Sequence, residues 1–138
     1  MYEYRVKIVK IIDGDTVDVD IDLGFGVWMH KERIRLFGID TPESRTRDLE
    51  EKKYGLAAKK FLTGMLDDEG GIILKTHKDK TGKFGRILGE LWRTTNYADQ
   101  SINNYMIDKH HAVMYLGQSK DDIQEQHIKN REFVNLNE

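Results

Sequence analysis

Cysteine is absent from the 138 residues, so neither a disulfide nor a thiolate-held metal can organise this chain. That absence fits a reducing compartment. No apolar run approaches the roughly 18 residues of a membrane span. The N-terminal MYEYRVKIVKIIDGDT enters a strand-like pattern at once, without the basic end, apolar stretch and small-residue cleavage site of a signal peptide. These features lead us to expect a cytoplasmic protein without membrane association, or a secreted one if a leader has been removed. A surplus of positive charge is missing too: 22 Lys and Arg stand against 24 Asp and Glu, a net charge of −2. A broadly basic, tight and non-specific nucleic-acid binder is thereby excluded, and any polyanion would have to be held by a local basic cluster. Proline occurs once, as Pro42.

What is present reads as a folded, soluble chain. A charged fraction of 33% with 9% aromatics is globular rather than disordered composition. At this length one domain, 1–138, is expected, with no internal repeat or linker. A chain of this size buries roughly two-thirds of its unfolded surface. Nothing in it points to an obligate protein partner, and a monomer is expected.

The strand signals come first. YRVKIVKII (4–12) is rich in β-formers and ends in the turn signal Asp13-Gly14. DTVDVDID (15–22) alternates strictly, with Val17, Val19 and Ile21 on one face and Asp18, Asp20 and Asp22 on the other. VWMHKERIRLFGI resumes after Gly24 and Gly26, completing an antiparallel meander. The polar SRTRDLEEKKYG reads as a loop. Tyr54, Ala58, Phe61, Leu62 and Met65 then fall at helical spacing to about Leu66. IILKTH (72–77) and GRILGELW (85–92) predict two more strands around the turn-rich KDKTGKFG. Ile102, Tyr105 and Met106 suggest a short helix. Ser119 with Asp122 predicts the cap of a last helix through about Phe133. Three strands, a helix, two strands and two helices suit a mixed, mainly β fold: a five-stranded OB-type barrel with three helices.

Several of these residues could carry chemistry. Asp15 shares the parity of Val17 and Val19, and a carboxylate on a core-facing side must be paired, hydrogen-bonded or bound to a metal. It could equally cap the Gly14 turn. Asp40-Thr41-Pro42 is ordinary turn chemistry, but a rigid turn also aims oxygens. Asp40, the Thr41 carbonyl and Asp15 would make an all-oxygen set suited to a hard ion, Ca2+ or Mg2+. Glu43, just past the proline, is then either a surface glutamate or a general base. Arg35 and Arg86 have the opposite parity to their apolar neighbours. They are either solvent-facing strand arginines or a pair gripping a phosphodiester, with Lys83 adding charge. The five histidines read as structural or solvated; His127 falls on a partly buried helix face.

Taken together, IDGDT (12–16), IRLFGIDTPE (34–43), KYG (53–55), GKFGR (82–86) and EQHI (125–128) resemble the staphylococcal nuclease (thermonuclease) family over nearly the whole chain. The resemblance implies an OB-fold barrel with three helices and Ca2+-dependent endonucleolytic hydrolysis of DNA, preferably single-stranded, and of RNA, leaving 3′-phosphate ends. It also implies Asp15, Asp40 and Thr41 as metal ligands, with Asp13 as a nearby acid. Glu43 would be the base, Arg35 and Arg86 the phosphate-binding arginines, and Lys83 a substrate-phosphate contact.

Two departures bear on substrate binding. Phe84 stands where the family often has a tyrosine, so a hydroxyl near a terminal phosphate is missing. Tyr115 matches one member of a Tyr-x-Tyr pair at the base-binding surface, while Gly117 replaces the other. The competing reading is a binding module on the same barrel that has lost catalysis. Loss of the carboxylates or arginines would mark it, and here every such position is filled.

Overall fold

A computed structural model describes residues 2–77 and 86–137. Strands β1 (Glu3–Asp13), β2 (Thr16–Gly24) and β3 (Val27–Leu36) form the expected meander. The short β4 (Ile39–Asp40) follows, then helix α1 (Leu49–Met65) and strands β5 (Ile72–His77) and β6 (Ile87–Arg93). Helix α2 (Ile102–Asp108), the two-residue β7 (Val113–Met114) and helix α3 (Lys120–Asn130) complete the order, with a 3-10 turn at Arg131–Phe133. The barrel closes in the order β1-β2-β3-β6-β5, and β5 returns antiparallel to β1. Among the described strands only the β3–β6 pair is parallel, with Ile34 opposite Ile87 and Leu36 opposite Gly89. This is the five-stranded OB-type barrel with three helices that the pattern of elements suggested.

The alternation in β2 buries Val17, Val19 and Ile21 as expected. They meet Ile34, Leu36, Leu74 and Leu91 inside the barrel, while Ala58 and Leu62 of α1 and Ile102 and Met106 of α2 complete the core. The doubled apolar pair Ile8-Val9 in β1 has a physical reason. The β1–β2 register slips between Ile8 and Lys10, which leaves Val9 exposed at a bulge. Bulges of this kind add the local twist that closing a small barrel requires.

Two local differences from the sequence pattern are informative. Helix α1 starts five residues before Tyr54, so Leu49–Lys53 is helix rather than loop. Asp48 is its N-cap, accepting from the backbone N–H of Glu50 and Glu51, and Glu50 and Glu51 favour the positive end of the helix dipole. The exposure of this first turn removed the apolar period that would have announced it. The pairing of β7 with β4 was also not foreseen: Ile39 faces Met114 and Asp40 faces Val113. Strands of two residues have no periodicity to read.

Where the parallel β3–β6 pair ends, the buried Asn103 of α2 satisfies the loose backbone groups. Its side-chain NH2 donates to the carbonyls of Phe37 (2.9 Å) and Gly89 (3.2 Å), and its carbonyl oxygen accepts from the N–H of Leu91 (3.2 Å). The helix thus fixes the barrel seam beside which β4 and the following turn depart.

Asp68, in the loop after α1, accepts from the Thr95 hydroxyl and from the backbone N–H groups of Thr95 (3.1 Å), Thr94 (2.7 Å) and Gly70 (3.0 Å). The Thr95 hydroxyl first, then these N–H groups, hold its carboxyl far below the usual range against the opposing effect of desolvation. A depressed folded-state pKa contributes stability that is present above the unfolded value of about 3.9 and is lost as pH falls through the folded one. Asp68→Asn is therefore expected to lower stability at pH 7. Below about pH 4 its disadvantage should shrink as the wild type loses this contribution. Denaturant unfolding of both proteins between pH 3 and 7 measures this. A constant difference across that window would contradict it.

Candidate active site

One cleft of about 680 Å3 gathers residues from several separate parts of the chain. The end of β3 supplies Arg35, β4 supplies Asp40, and the turn after it supplies Thr41, Pro42 and Glu43. Arg86 immediately precedes β6 and Leu88 lies at its start, Tyr115 follows β7, and Lys120, Ile123, Gln124 and His127 come from α3.

The Asp13-Gly14-Asp15 turn between β1 and β2 abuts this cleft. Asp15 is 8% exposed, and both oxygens of its carboxylate accept hydrogen bonds. Its Oδ1 accepts from the Thr16 hydroxyl (2.9 Å), and its Oδ2 accepts from the backbone N–H of Thr41 (3.1 Å). Its own carbonyl accepts from the N–H of Leu36 (2.8 Å). The residue lies in the turn, and its carboxylate reaches across to the Asp40-Thr41-Pro42 segment. Asp13 joins the same two segments by accepting from the Ser44 hydroxyl.

Arg35 lies between the two carboxylates that the sequence places 25 positions apart. Its Nη1 is 3.5 Å from Asp15 Oδ2 and its Nη2 is 3.6 Å from Asp40 Oδ1. Nη1 also donates to the Leu36 carbonyl (3.1 Å), which holds the guanidinium at the strand end. The Arg35 side chain is only 16% exposed, so it is not the solvent-facing strand arginine of the bland alternative. Its register explains the position: on β3 it lies between Thr16 of β2 and Leu88 of β6. Two carboxylates and a guanidinium are thus held together at one end of the barrel.

Helix α1 fixes the turn from behind. A Cβ on Gly55 would lie 2.2 Å from the Glu43 carbonyl oxygen and 2.6 Å from the Ser44 nitrogen, both backbone atoms. A Cβ on Gly14 would meet Ala58 Cβ at 2.9 Å and the Thr41 side chain at 3.1 Å. The glycine of KYG therefore lets a helix lie directly on the segment that carries Glu43. Alanine in a helix interior is ordinarily better than glycine by about 0.5–1 kcal/mol. Gly55→Ala should reverse that, since displacing packed backbone costs about 1–3 kcal/mol. Thermal unfolding should show a Tm several degrees lower; an equal or higher Tm would contradict the close packing.

Glu43 is exposed on the cleft wall, and Glu51 of α1 lines the same space. Tyr115 is 45% exposed and is held by its backbone N–H, which donates to the Gly38 carbonyl (2.8 Å). Gly117 has φ +84°, so the glycine that stands for a second tyrosine occupies a turn that side chains rarely adopt. Lys83 and Phe84 lie outside the described residues. Among the described residues no cluster of three or more His, Cys, Asp or Glu side chains forms a metal-binding group; the candidate set contains two carboxylates, Asp15 and Asp40, and the Thr41 backbone.

Sequence reasoning missed His127. Its side chain is 5% exposed, and its Nε2 lies 2.7 Å from Asp40 Oδ2, 87 positions away. The signal was its spacing from Ile123: the two are the buried residues of α3, one turn apart. A histidine on an apolar helix face reads as core until its partner is seen.

The fold is an OB-type barrel whose end carries two aspartates bridged by an arginine, opposite a helix-lined wall. Residues 33–134 match the model of the staphylococcal nuclease homologue family, about three-quarters of the chain, and the chain belongs to that family. Asp15 lies ahead of the matched span. The chain is 34% identical over 118 residues to a protein named ParB from Escherichia coli, covering 82% of this chain and 58% of that one. It is 35% identical over 89 residues to the thermonuclease of Staphylococcus intermedius, covering 64% and 48%. To the micrococcal nuclease of Shigella flexneri it is 26% identical over 118 residues, covering 82% and 59%. The chain thus spans between about half and three-fifths of the length of these relatives. No helix among the described residues is long and apolar enough to cross a membrane.

Proposed function

We propose that this chain is a Ca2+-dependent endonuclease that hydrolyses phosphodiester bonds of DNA, preferably single-stranded, and of RNA, leaving 3′-phosphate ends. The observation that carries this reading is the meeting of Asp15, Asp40 and Arg35 beside a cleft that also takes in Glu43 and Arg86. A polar binding surface has no need of two partly buried carboxylates aimed at one guanidinium.

The donor set suits a hard cation. It consists of oxygens, and Thr41 Oγ1 is a buried oxygen without a hydrogen-bond partner among the described residues. Asp15, Asp40 and the Thr41 carbonyl would hold the ion. When bound, it would supply positive charge against the scissile phosphate. Arg35 and Arg86 would grip the phosphate oxygens and offset the extra negative charge of the five-coordinate transition state. Glu43 would take a proton from the attacking water. Attack at phosphorus then breaks the bond to the 5′ oxygen, which is protonated from solvent as the phosphate stays on the 3′ side. Lys83, Phe84 and Tyr115 would contact the flanking nucleotide, with Tyr115 offering a face for base stacking.

The test is end-group analysis of short single-stranded DNA and RNA after digestion in Ca2+. The expected fragments resist extension by a polymerase until a phosphatase has removed the 3′ phosphate. Fragments with 3′-hydroxyl ends would overturn the proposed direction of cleavage. Intact substrate that remains bound to the protein would favour the binding module.

A further inference from the structure

Among the described residues the His127 imidazole has one hydrogen-bond partner, and that partner belongs to the candidate cation site. An ionised carboxylate only accepts, so the Nε2 that faces Asp40 Oδ2 at 2.7 Å must donate. The other carboxylate oxygen, Oδ1, turns to the side of Arg35, at 3.6 Å, and Arg35 in turn reaches Asp15. The two oxygens of Asp40 are thus assigned to different neighbours, one to the helix and one to the site. Asp40 needs this restraint because the strand that carries it has two residues and pairs with the equally short β7. The other ring nitrogen, Nδ1, is buried without a hydrogen-bond partner among the described residues. The imidazole is therefore oriented by its bond to Asp40, and Ile123, one turn away, is the other buried residue of the helix.

We propose that His127 is a positioning residue: its bond from Nε2 fixes the Asp40 carboxylate with Oδ1 presented toward Asp15, and so sets the affinity of the site for its cation. This rests on the reading of Asp15 and Asp40 as ligands. A histidine that merely filled space would leave cation affinity unchanged when replaced by an apolar residue of similar size. Loss of a hydrogen-bonding group behind a metal ligand typically weakens metal affinity about 10- to 100-fold. Glutamine can place its side-chain NH2 close to where Nε2 lies, whereas asparagine is too short to do so.

The experiment is calorimetric titration of Ca2+ into metal-stripped wild type, His127→Leu, His127→Gln and His127→Asn, without nucleic acid, with unfolding curves in chelator to establish that each is folded. Leucine should weaken Ca2+ binding by at least tenfold and glutamine should recover most of the loss. If the leucine variant does not fold, asparagine makes the same comparison, since it keeps a polar group but not the reach. A loss below tenfold, or one that glutamine does not recover, overturns the inference. Wild type that binds no Ca2+ overturns it together with the metal reading, which separates the two failures.

Discussion

Replacing Glu43 by glutamine is expected to lower turnover on single-stranded DNA by about 10²–10⁴-fold, the usual range for loss of a general base. The substitution keeps the size of the side chain and removes its capacity to accept a proton. Glu43 is exposed and its segment is held by Gly55 of α1 packed against its backbone and by the Ser44 hydroxyl bond to Asp13 beside it. Folding should therefore be unaffected, and substrate affinity should change far less than turnover. Single-turnover kinetics with unfolding curves on the same samples separate these quantities. Turnover within about threefold of wild type, well short of that range, would remove Glu43 from the mechanism.

Loss of either aspartate should be at least as damaging. Cation charge at a phosphoryl oxygen contributes several kcal/mol, and each 1.36 kcal/mol is about tenfold in rate. Asp40→Ala and Asp15→Asn are therefore expected to lose about 10²-fold or more in Ca2+-stimulated cleavage. Asparagine is the informative change at position 15. Asp15 Oδ2 accepts from the buried N–H of Thr41, and alanine would leave that donor unpaired at a cost of about 1–3 kcal/mol. Asparagine retains an oxygen acceptor while removing the charge. The variant should unfold close to wild type in chelator and lose Ca2+ activation. Unimpaired Ca2+ activation in both variants would contradict their assignment as ligands.

The barrel was legible because its strands are half-buried and written in alternating residues, and the parity of Val17, Val19 and Ile21 gave the core directly. The candidate site was legible in part. IDGDT and IDTPE mark two turns, and the structure joins them through bonds from Thr41 and Ser44 to Asp15 and Asp13. What remained hidden depends on tertiary contact rather than periodicity. The first turn of α1 buries no residue and is announced only by its cap. The pairing of β4 with β7 brings together residues more than 70 positions apart. His127 shares its helix face with Ile123, so nothing in the sequence distinguishes its polar partner from a core environment. The glycine of KYG was legible as a motif but not as a contact, because its reason is the backbone of Glu43.

Cleavage of single-stranded DNA by metal-stripped protein, across a titration of Ca2+ with Mg2+ and excess chelator alongside, tests the central proposal most directly. Ca2+ tolerates about 6–8 ligands in flexible geometry, whereas Mg2+ requires a near-ideal octahedron. A site spaced for Ca2+ would misplace the reacting water with Mg2+, and about 1 Å of misplacement can cost about 10²-fold. The expected result is cleavage that rises with Ca2+, is weak with Mg2+ and is absent in excess chelator. Full activity in chelator would contradict a cation-dependent nuclease at Asp15 and Asp40, and equal activity with Mg2+ alone would contradict the choice of ion.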